Sequence, residues 1–430
     1  MGRAVYCGDS EFYIDALDLE IMNFNGSSEI PELIRTDATS QPPSVLVTAG
    51  QFFQGKVLRG WLIAILLWVL TTSCALPQVS AEDRLFLDLS LDLLDVTTLP
   101  TQTVDGTTVG GLSALTYDPQ TNRFYALSDD RGNLAPPRFY TLSLGVTPDT
   151  AQLAPIAIDG VTLLRDETGE AYGADQLDPE GMALSPRRSL FITSEGVADS
   201  PPQLNEYDLA TGQLLTQFRL PDRYLPVSDI EDPTGIRNNL GFEALTLNPI
   251  SAFGELEPFR LFTATESALA QDFDEDPAQP LTSRWLHYLI NPEQSALLSE
   301  HAYPLALEPF GAVVNGLSEL VSLDQGGHFL ALERAFGAGG FSVKLFQLAT
   351  GGATDTSGIA RLVPALDSIS PIRKQLALDF ATLEPAVDNL EAMTLGPQLP
   401  DGSQTLWLLS DDNFSEAQTT QLWVFRLILS

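Results

Sequence analysis

Apolar and polar residues alternate at the start of one long region of the chain, residues 82–430. From residue 85 the sequence reads LFLDLSLDLLDV, in which leucine occupies every second position and alternates with Phe86, Asp88, Ser90 and Asp92. A period of two over this length predicts a β-strand. The last residues, QLWVFRLILS, predict another strand. The region therefore begins and ends in a strand.

One hairpin pattern recurs five times between these two strands. Each copy has a short apolar strand that begins beside Ser or Glu, then a turn rich in Pro, Gly, Asn or Asp, then a second apolar strand that ends in acidic residues. The copies are GLSALTYDPQTNRFYALSDD, EGMALSPRRSLFITSEG, GFEALTLNP with LFTATES, GLSELVSLDQGGHFLALERAFG, and LEAMTLGPQLPDGSQTLWLLSDDN. Equivalent positions in successive copies are 69, 61, 75 and 73 residues apart. These intervals fit one four-stranded blade with loop insertions.

This repeat predicts an all-β fold, a β-propeller of about six blades. Five blades are marked by hairpins, and the segment from Ala349 to Ala386 is a candidate for an unmarked sheet. A pair of β-sandwiches is the alternative, because hairpins alone do not establish a closed ring. In the propeller, the strand near residue 85 can pair with the last strand and close the ring without a free edge.

The chain before this region carries features of export. Residues 1–55 are a leader whose presence suggests a mis-assigned start. Residues 56–81 resemble a signal peptide or lipoprotein signal, with Lys56 and Arg59 before an apolar run. Thr72-Ser73-Cys74 resembles a degenerate lipobox, which would place a lipid on Cys74, whereas Val79-Ser80-Ala81 resembles an ordinary cleavage site. We expect a periplasmic protein, an outer-envelope lipoprotein or an extracellular protein.

The net charge of the protein limits the kinds of partner that it can bind. The formal net charge is −35 and the sequence pI is about 4.1, which argues against a nucleic-acid groove. Membrane association is expected only through the signal or a lipid anchor, and we expect a monomer. Cys7 and Cys74 are the two cysteines, so a disulfide framework is excluded in residues 82–430.

Acidic residues recur at equivalent places of the hairpins. The first strand of four copies begins beside a glutamate, and the corresponding residue of the first copy is Ser113. The second strand ends in one or two acids in every copy. Equivalent positions of propeller blades lie on a ring around one axis, so these side chains are expected to converge. The expected metal ligands are Glu180, Glu195, Glu243, Glu266, Glu319, Glu333, Glu391, Asp411 and Asp412.

Converging carboxylates favour a hard divalent cation, which neutralises their mutual repulsion. Calcium takes six to eight oxygen ligands in flexible geometry and suits an exported protein. Zinc and copper prefer clustered His or Cys, whereas His287, His301 and His328 are scattered. The expected cofactor is therefore Ca²⁺.

The motifs GGLSALTYDPQTNRFYALSDDRG, DPEGMALSP, NLGFEALTLNP, and NLEAMTL with LLSDDNF resemble the bacterial phytase-like family, described by an esterase-like activity of phytase. The resemblance covers essentially residues 82–430. It implies a calcium-bearing propeller that hydrolyses a phosphate ester at acidic residues. The catalytic positions that it implies are Asp129, Asp130, Glu180, Glu243 and Glu391.

Arginines beside these acids are the candidates for phosphate binding. Arg131 follows the aspartate pair and Arg334 follows Glu333, while Arg138 and Arg237 lie further from the motifs. Residues 82–430 contain two lysines, whereas a polyphosphorylated substrate requires a denser cationic cleft. Phytate itself is therefore disfavoured as the substrate.

The sequence thus predicts an exported, calcium-dependent phosphoric ester hydrolase, a phosphatase or phosphodiesterase that uses metal-activated water at the propeller axis. Its substrate would be a phosphorylated small molecule or a phosphodiester. The alternative is a non-catalytic, calcium-stabilised propeller that acts as a binding or scaffold module of the cell envelope.

Overall fold

The computed structural model describes residues 85–147, 152–197, 200–227, 232–248, 257–274, 276, 279–291, 295–306 and 312–429. The leader 1–55, the signal segment 56–81 and Cys74 lie outside the described residues. Within the described ranges, no helix has the length and apolar character needed to cross a membrane.

The described residues form 22 strands, and five four-stranded sheets contain 20 of them. The first strand of the described residues is β1 (Leu89–Thr98), followed by the small hairpin of β2 (Thr103–Val104) and β3 (Thr107–Thr108). Blade 1 contains β4 (Leu112–Asp118), β5 (Arg123–Ser128), β6 (Arg138–Ser143) and β7 (Ala157–Leu163). Blade 2 contains β8 (Pro179–Leu184), β9 (Ser189–Ser194), β10 (Gln203–Asp208) and β11 (Leu214–Phe218).

The remaining blades follow the same antiparallel order. Blade 3 contains β12 (Phe242–Leu247), β13 (Phe259–Thr265), β14 (Thr282–Ile290) and β15 (Ala296–Pro304). Blade 4 contains β16 (Ala312–Ser322), β17 (His328–Gly337), β18 (Gly340–Ala349) and β19 (Arg373–Asp379). Blade 5 contains β20 (Leu390–Gln398), β21 (Gln404–Ser410) and β22 (Gln421–Leu429), and its fourth strand is β1.

Two features close the sheets into a ring. The first strands of the blades contact one another in a cycle, β4 with β8, β8 with β12, β12 with β16, β16 with β20, and β20 with β4. β1 pairs antiparallel with β22 from Leu89 opposite Leu429 to Thr98 opposite Gln421. The expected closure by the two ends is confirmed, and the fold is an all-β propeller rather than a pair of sandwiches.

The apolar faces of the strands form five core clusters within the described residues, and each cluster lies between two consecutive blades. Aromatic rings span these interfaces. Phe191 of blade 2 meets Phe259 of blade 3 edge to face at 5.7 Å between ring centroids. Trp407 of blade 5 meets Phe124 of blade 1 at 5.1 Å. Since every blade is packed between two others, the ring holds the first strands in fixed relative positions.

The expectation of about six blades is wrong, because the described residues form five. The segment from Ala349 to Ala386 makes no sheet of its own. Its one complete strand, β19, pairs with β18 and completes blade 4. Much of the rest forms turns and two short 3₁₀ helices, Val363–Ser368 and Phe380–Thr382. The extra length between hairpins is therefore loop rather than an additional blade.

Removal of β1 tests this closure. We expect a chain that begins at Leu99 to be less stable than one that begins at Leu85 by on the order of 5 kcal/mol, since five partly buried aliphatic side chains of residues 87–96 each contribute about 1 kcal/mol. The truncation also exposes the edge of β22, which favours aggregation. Guanidinium denaturation and light scattering measure both effects. Equal denaturation midpoints for the two chains would contradict closure by β1.

Candidate functional site

Each first strand slips in register against the second strand of its blade at an equivalent point. The slips lie between Leu112 and Ala114, Pro179 and Met182, Phe242 and Leu245, Leu317 and Glu319, and Leu390 and Ala392. Such a bulge leaves a residue unpaired and changes the direction of its side chain. The residues at equivalent positions of the five slips are Ser113, Glu180, Glu243, Ser318 and Glu391.

A second set of equivalent residues follows the second strands. In four blades the backbone N–H after this strand donates to the carbonyl of the residue that precedes the first strand or its bulge. These donors belong to Asp129, Glu195, Glu266 and Asp411, with N···O distances of 2.8, 3.1, 2.5 and 2.9 Å. In blade 4 the corresponding residue is Arg334, which pairs with Gly316. Blade 4 thus places an arginine where the other blades place an acid.

The register of blade 4 separates two expected ligands from the axis. Glu319 lies one residue beyond the bulge position, and its carboxylate accepts hydrogen bonds from the N–H groups of Leu245 and Leu320 at 3.0 and 2.8 Å. Glu333 lies one residue before Arg334. Its carboxylate accepts from the Tyr303 hydroxyl at 2.5 Å and from Ala306 N–H at 2.9 Å, and it is paired with Lys374. These contacts do not support the metal-binding roles expected for Glu319 and Glu333, because they employ both carboxylates in joining strands and loops.

Eight carboxylates converge at one end of the axis. Ligand oxygens of Asp178, Glu180 and Glu195 lie within 4.8 Å of one another, and so do those of Glu195, Glu243 and Glu266. Glu195 is common to both groups. Charge repulsion links Asp129 to Asp178 and Glu391 to Glu243, and Asp411 is linked in the same way to Asp129 and Glu391. We call these eight residues, together with Arg131 and Arg334, the acidic floor.

Two arginines are built into the acidic floor. Arg334 Nη2 lies 3.1 Å from Glu266 Oε1, 3.4 Å from Glu391 Oε1 and 3.7 Å from Glu243 Oε1. Arg131 Nε donates to Asp178 Oδ1 at 2.7 Å, and its Nη2 donates to Asn239 Oδ1 at 2.7 Å. The structure therefore places the two strongest arginine candidates among the acids.

The second aspartate of each Asp-Asp pair has a different environment from the first. Asp130 accepts hydrogen bonds from the N–H groups of the loop 133–135 and pairs with Arg138 at 2.9 Å. Asp412 accepts from Gly111 N–H at 2.9 Å and from Thr420 Oγ1 at 3.0 Å, which joins blade 5 to blade 1. The catalytic role expected for Asp130 and the metal role expected for Asp412 are not supported by these contacts, since both residues hold loops.

The two weaker arginine candidates lie elsewhere. Arg138 is fully buried and pairs with Asp130, so it does not face a substrate. Arg237 donates to the carbonyl of Ala268 at 3.0 Å and to Ser267 Oγ at 3.2 Å, and its guanidinium lies over the Phe273 ring. Neither placement supports the expected role in phosphate binding.

Burial and mutual repulsion raise the proton affinity of the acidic floor. Burial, followed by the charges of Glu391 and Asp178, raises the pKa of Asp129 to about 8. Burial and Glu266 raise the pKa of Glu195 to about 8. Burial raises the pKa of Glu266 to about 7 and that of Asp178 to about 6, although Arg334 and Arg131 oppose the two shifts. Several of these groups therefore bind protons near neutral pH unless a cation neutralises them.

Three buried carboxylate oxygens of the acidic floor have no hydrogen-bond partner: Asp178 Oδ2, Glu195 Oε2 and Glu243 Oε2. All three belong to the two groups of converging ligands. Unpaired buried oxygens are costly, and a hard divalent ion with oxygen ligands is suited to them. The residues present therefore fit a cation such as calcium.

The acidic floor lies at the bottom of a cleft of about 1350 Å³. Asp129, Asp178, Glu180 and Glu391 are among the acids exposed to the cleft. The walls come from the loops after β5 and β21, from the tip of the β17–β18 hairpin and from the connection between blades 4 and 5. A ligand can thus reach the carboxylates from this face.

Asp178, Asn239 and Asn389 line the cleft but were not predicted from the sequence as site residues. Glycine precedes the first strand or its bulge in blades 1, 3 and 4, whereas Asp178 and Asn389 take the equivalent positions of blades 2 and 5. At Gly316 an added Cβ would lie 2.2 Å from Glu266 Oε1, so a side chain there requires the neighbouring acid to move. The sequence signal for Asp178 and Asn389 was a polar residue at a position that is glycine in the other three blades. Asn389 Oδ1 is also buried without a partner.

No curated protein matches the sequence. Among solved structures, an endo-arabinase from Bacteroides thetaiotaomicron VPI-5482 is 10% identical, with 75% of this chain and 95% of that chain covered and a TM-score of 0.39. The catalytic domain of a GH62 α-L-arabinofuranosidase from Coprinopsis cinerea is 11% identical, with coverages of 79% and 97% and a TM-score of 0.34. With TM-scores below 0.5, these similarities do not indicate a function for this protein.

The family profile described as "Phytase-like: Esterase-like activity of phytase" matches residues 107–414. This range is more than half of the 430 residues and contains every member of the acidic floor. The match confirms the resemblance indicated by the repeated hairpins. This chain belongs to the Phytase-like family.

Proposed function

We propose that this protein is an exported, calcium-dependent hydrolase of phosphoric esters that acts at the acidic floor. One observation carries the proposal: three carboxylates with a buried, unpartnered oxygen belong to two overlapping groups of converging ligands, and members of both groups line an open cleft. Membership in the Phytase-like family supports a hydrolase. The signal-like segment 56–81 supports export, and Cys74 remains the proposed lipid attachment site.

Two overlapping ligand sets are available for cations. The first is Asp178, Glu180 and Glu195, and the second is Glu195, Glu243 and Glu266. Arg334 already supplies a positive charge to Glu243 and Glu266. Arg131 likewise pairs with Asp178 of the first set. Asp178 and Glu180 of the first set line the cleft, whereas Glu243 is the one member of the second set that does, so we propose the first set as the more accessible cation site.

The arginines and Asp129 have distinct roles in the proposed reaction. A divalent cation held by these carboxylates would supply positive charge to the phosphoryl oxygens and would activate water. Arg131 lies in the cleft with 35% of its side chain exposed, so its guanidinium can bind a phosphoryl oxygen. Asp129 lies beside it, and burial together with neighbouring carboxylates raises the pKa of its carboxyl to about 8 in the metal-free chain, so we propose this carboxyl as the proton donor. The oxygen of water forms the new bond to phosphorus and the ester P–O bond breaks. Asp129 gives its proton to the leaving alcohol, and the proton that the water loses returns Asp129 to its protonated form.

Hydrolysis of generic esters tests the proposal. We expect residues 82–430 to cleave p-nitrophenyl phosphate or bis(p-nitrophenyl) phosphate with calcium and not with chelator. Glu180→Gln and Asp129→Asn should each lower kcat at least about 100-fold, because each removes a group that acts on the reacting atoms. Glu167→Gln, at an exposed turn, is the matched control and should keep full activity.

The same assay separates the two functional hypotheses. If neither ester is cleaved while calcium still raises the melting temperature, hydrolysis is rejected and the binding or scaffold module is supported. Circular dichroism shows whether Glu180→Gln is folded. If it is unfolded, the kcat of Asp129→Asn alone tests the site.

The pKa shifts predict how stability depends on pH without metal. The folded chain binds protons at Asp178, Glu266, Glu195 and Asp129 up to pH values of about 6 to 8, whereas the unfolded carboxyls release them near pH 4. Folding therefore takes up protons in this window, and the melting temperature in chelator should fall as pH rises from 5 to 8. Calcium competes with these protons, so its stabilising effect should grow over the same range.

Differential scanning fluorimetry at pH 5, 6.5 and 8, with and without calcium, measures both trends. Glu195→Gln removes one titrating group and should flatten the profile in chelator. A melting temperature that rises with pH in chelator, or a calcium effect that is largest at pH 5, would contradict the prediction.

Arg334 should act as an internal counter-ion. In Arg334→Met, three carboxylates lose their nearby positive charge, so the melting temperature in chelator should fall and the increase produced by calcium should exceed that of the wild type. Arg219→Met removes a fully solvated pair with Asp222 and should change neither quantity. If the two variants respond alike to calcium, Arg334 does not replace a cation.

A further inference from the structure

The walls of the cleft differ from its floor in chemistry. Leu134, in the loop after β5, is 61% exposed, and Phe336, near the end of β17, is 44% exposed. Both side chains line the cleft, together with Phe341, Leu383, Val387 and Phe414. Large exposed apolar side chains that converge on one cleft commonly mark the place of an apolar ligand group.

Blade 4 builds the most prominent part of this wall. Its first three strands have 11, 10 and 10 residues, whereas the first three strands of blade 2 have 6 each. The β17–β18 hairpin therefore extends past Arg334 and the level of the acids. Phe336 is paired with Phe341 across this hairpin, with 4.8 Å between their ring centroids. The extension places two adjacent aromatic rings beside the acidic floor.

The charge of the cleft restricts what the ligand can carry. Among the described residues that line it, the basic ones are Arg131 and Arg334, and both already contact carboxylates of the floor. Glu384 and Asp388 add acidic groups to the wall. A second phosphate on the ligand would thus meet apolar or acidic side chains instead of cations, which disfavours polyphosphorylated compounds.

We infer that the cleft takes a compound with one phosphoryl group attached to an apolar organic group of at least aromatic size, and that Phe336 and Phe341 contact this group. The inference rests on the proposed function, because it assigns the phosphoryl group to the acidic floor. It names the substrates of the site as phosphoric esters of aromatic or long-chain alcohols. Phe336 and Phe341 are then specificity-determining residues that contact the substrate without acting on the reacting atoms.

Non-hydrolysable phosphonates test this recognition without any turnover. With residues 82–430 loaded with calcium, calorimetric titration should show phenylphosphonate binding at least 10-fold more tightly than methylphosphonate. Phe336→Ser with Phe341→Ser should abolish this difference and leave methylphosphonate unchanged. Leu376 lies on β19 of the same blade, and its side chain is 51% exposed but does not line the cleft. The control variant Leu376→Ser should therefore bind both phosphonates as the wild type does.

Four results would overturn the inference: equal affinities for the two phosphonates, equal losses for both in the double variant, tighter binding of inositol hexakisphosphate than of phenylphosphonate, or no binding of either phosphonate. Circular dichroism of the double variant verifies that it is folded, and Leu134→Ser provides a second wall variant with the same expected direction. If phenylphosphonate binds as expected while no aryl or alkyl ester is hydrolysed, the recognition stands and the proposed hydrolysis fails.

Discussion

The central constraint on this molecule is the repulsion among carboxylates that the ring forces together. Eight acids share one end of the axis, and those of Glu195 and Glu266 are almost fully buried. Charged groups in such a place repel one another and lose hydration, so they persist only with protons, a guanidinium or a metal ion beside them. The elevated pKa values, the position of Arg334 and the unpartnered oxygens are three consequences of this constraint.

Closure of the ring is what makes the constraint unavoidable. Each first strand is held between two core clusters, and β1 joins the two ends of the chain in blade 5. A strand in this position cannot move away from the axis without opening a packed interface on both sides. The cost of gathering the acids is therefore met by the apolar packing between blades, and the acids remain preorganised for a cation. In this sense the carboxylate pairs at strand ends have divided roles, in which Asp129 faces the axis while Asp130 fixes the adjoining loop.

The sequence was sufficient for the features that repeat and insufficient for those that do not. Hairpins, their turns and the terminal strands follow from hydrophobic periodicity, so the propeller and its closure were predictable. The number of blades was not predictable, because a loop segment with short 3₁₀ helices can be as long as a sheet whose strands have little hydrophobic periodicity. Glu333 was predicted as a metal ligand, although Arg334 takes the axial position, because a shift of one residue exchanges the two faces of a strand and the other four blades carry an acid there. Asp178 was missed because it occupies a position that is glycine in three other blades.

Blade 4 differs from the other blades both at the acidic floor and at the apolar wall of the cleft. Its bulge carries Ser318, as that of blade 1 carries Ser113, its second strand carries Arg334 where the other four blades have an acid, and its hairpin extends to Phe336 and Phe341. A fully symmetric ring of acids would hold cations on the axis and present the same surface in every direction. With Arg334 in place of an acid and an extended aromatic hairpin, blade 4 gives the cleft a direction, because its side offers apolar contact while the acids of the floor come from the other four blades. An ester has the same two-sided character, since a charged phosphoryl group is joined to an organic group of different polarity. We therefore propose that the departure of one blade from the repeat allows a symmetric scaffold to discriminate between the two halves of such an ester.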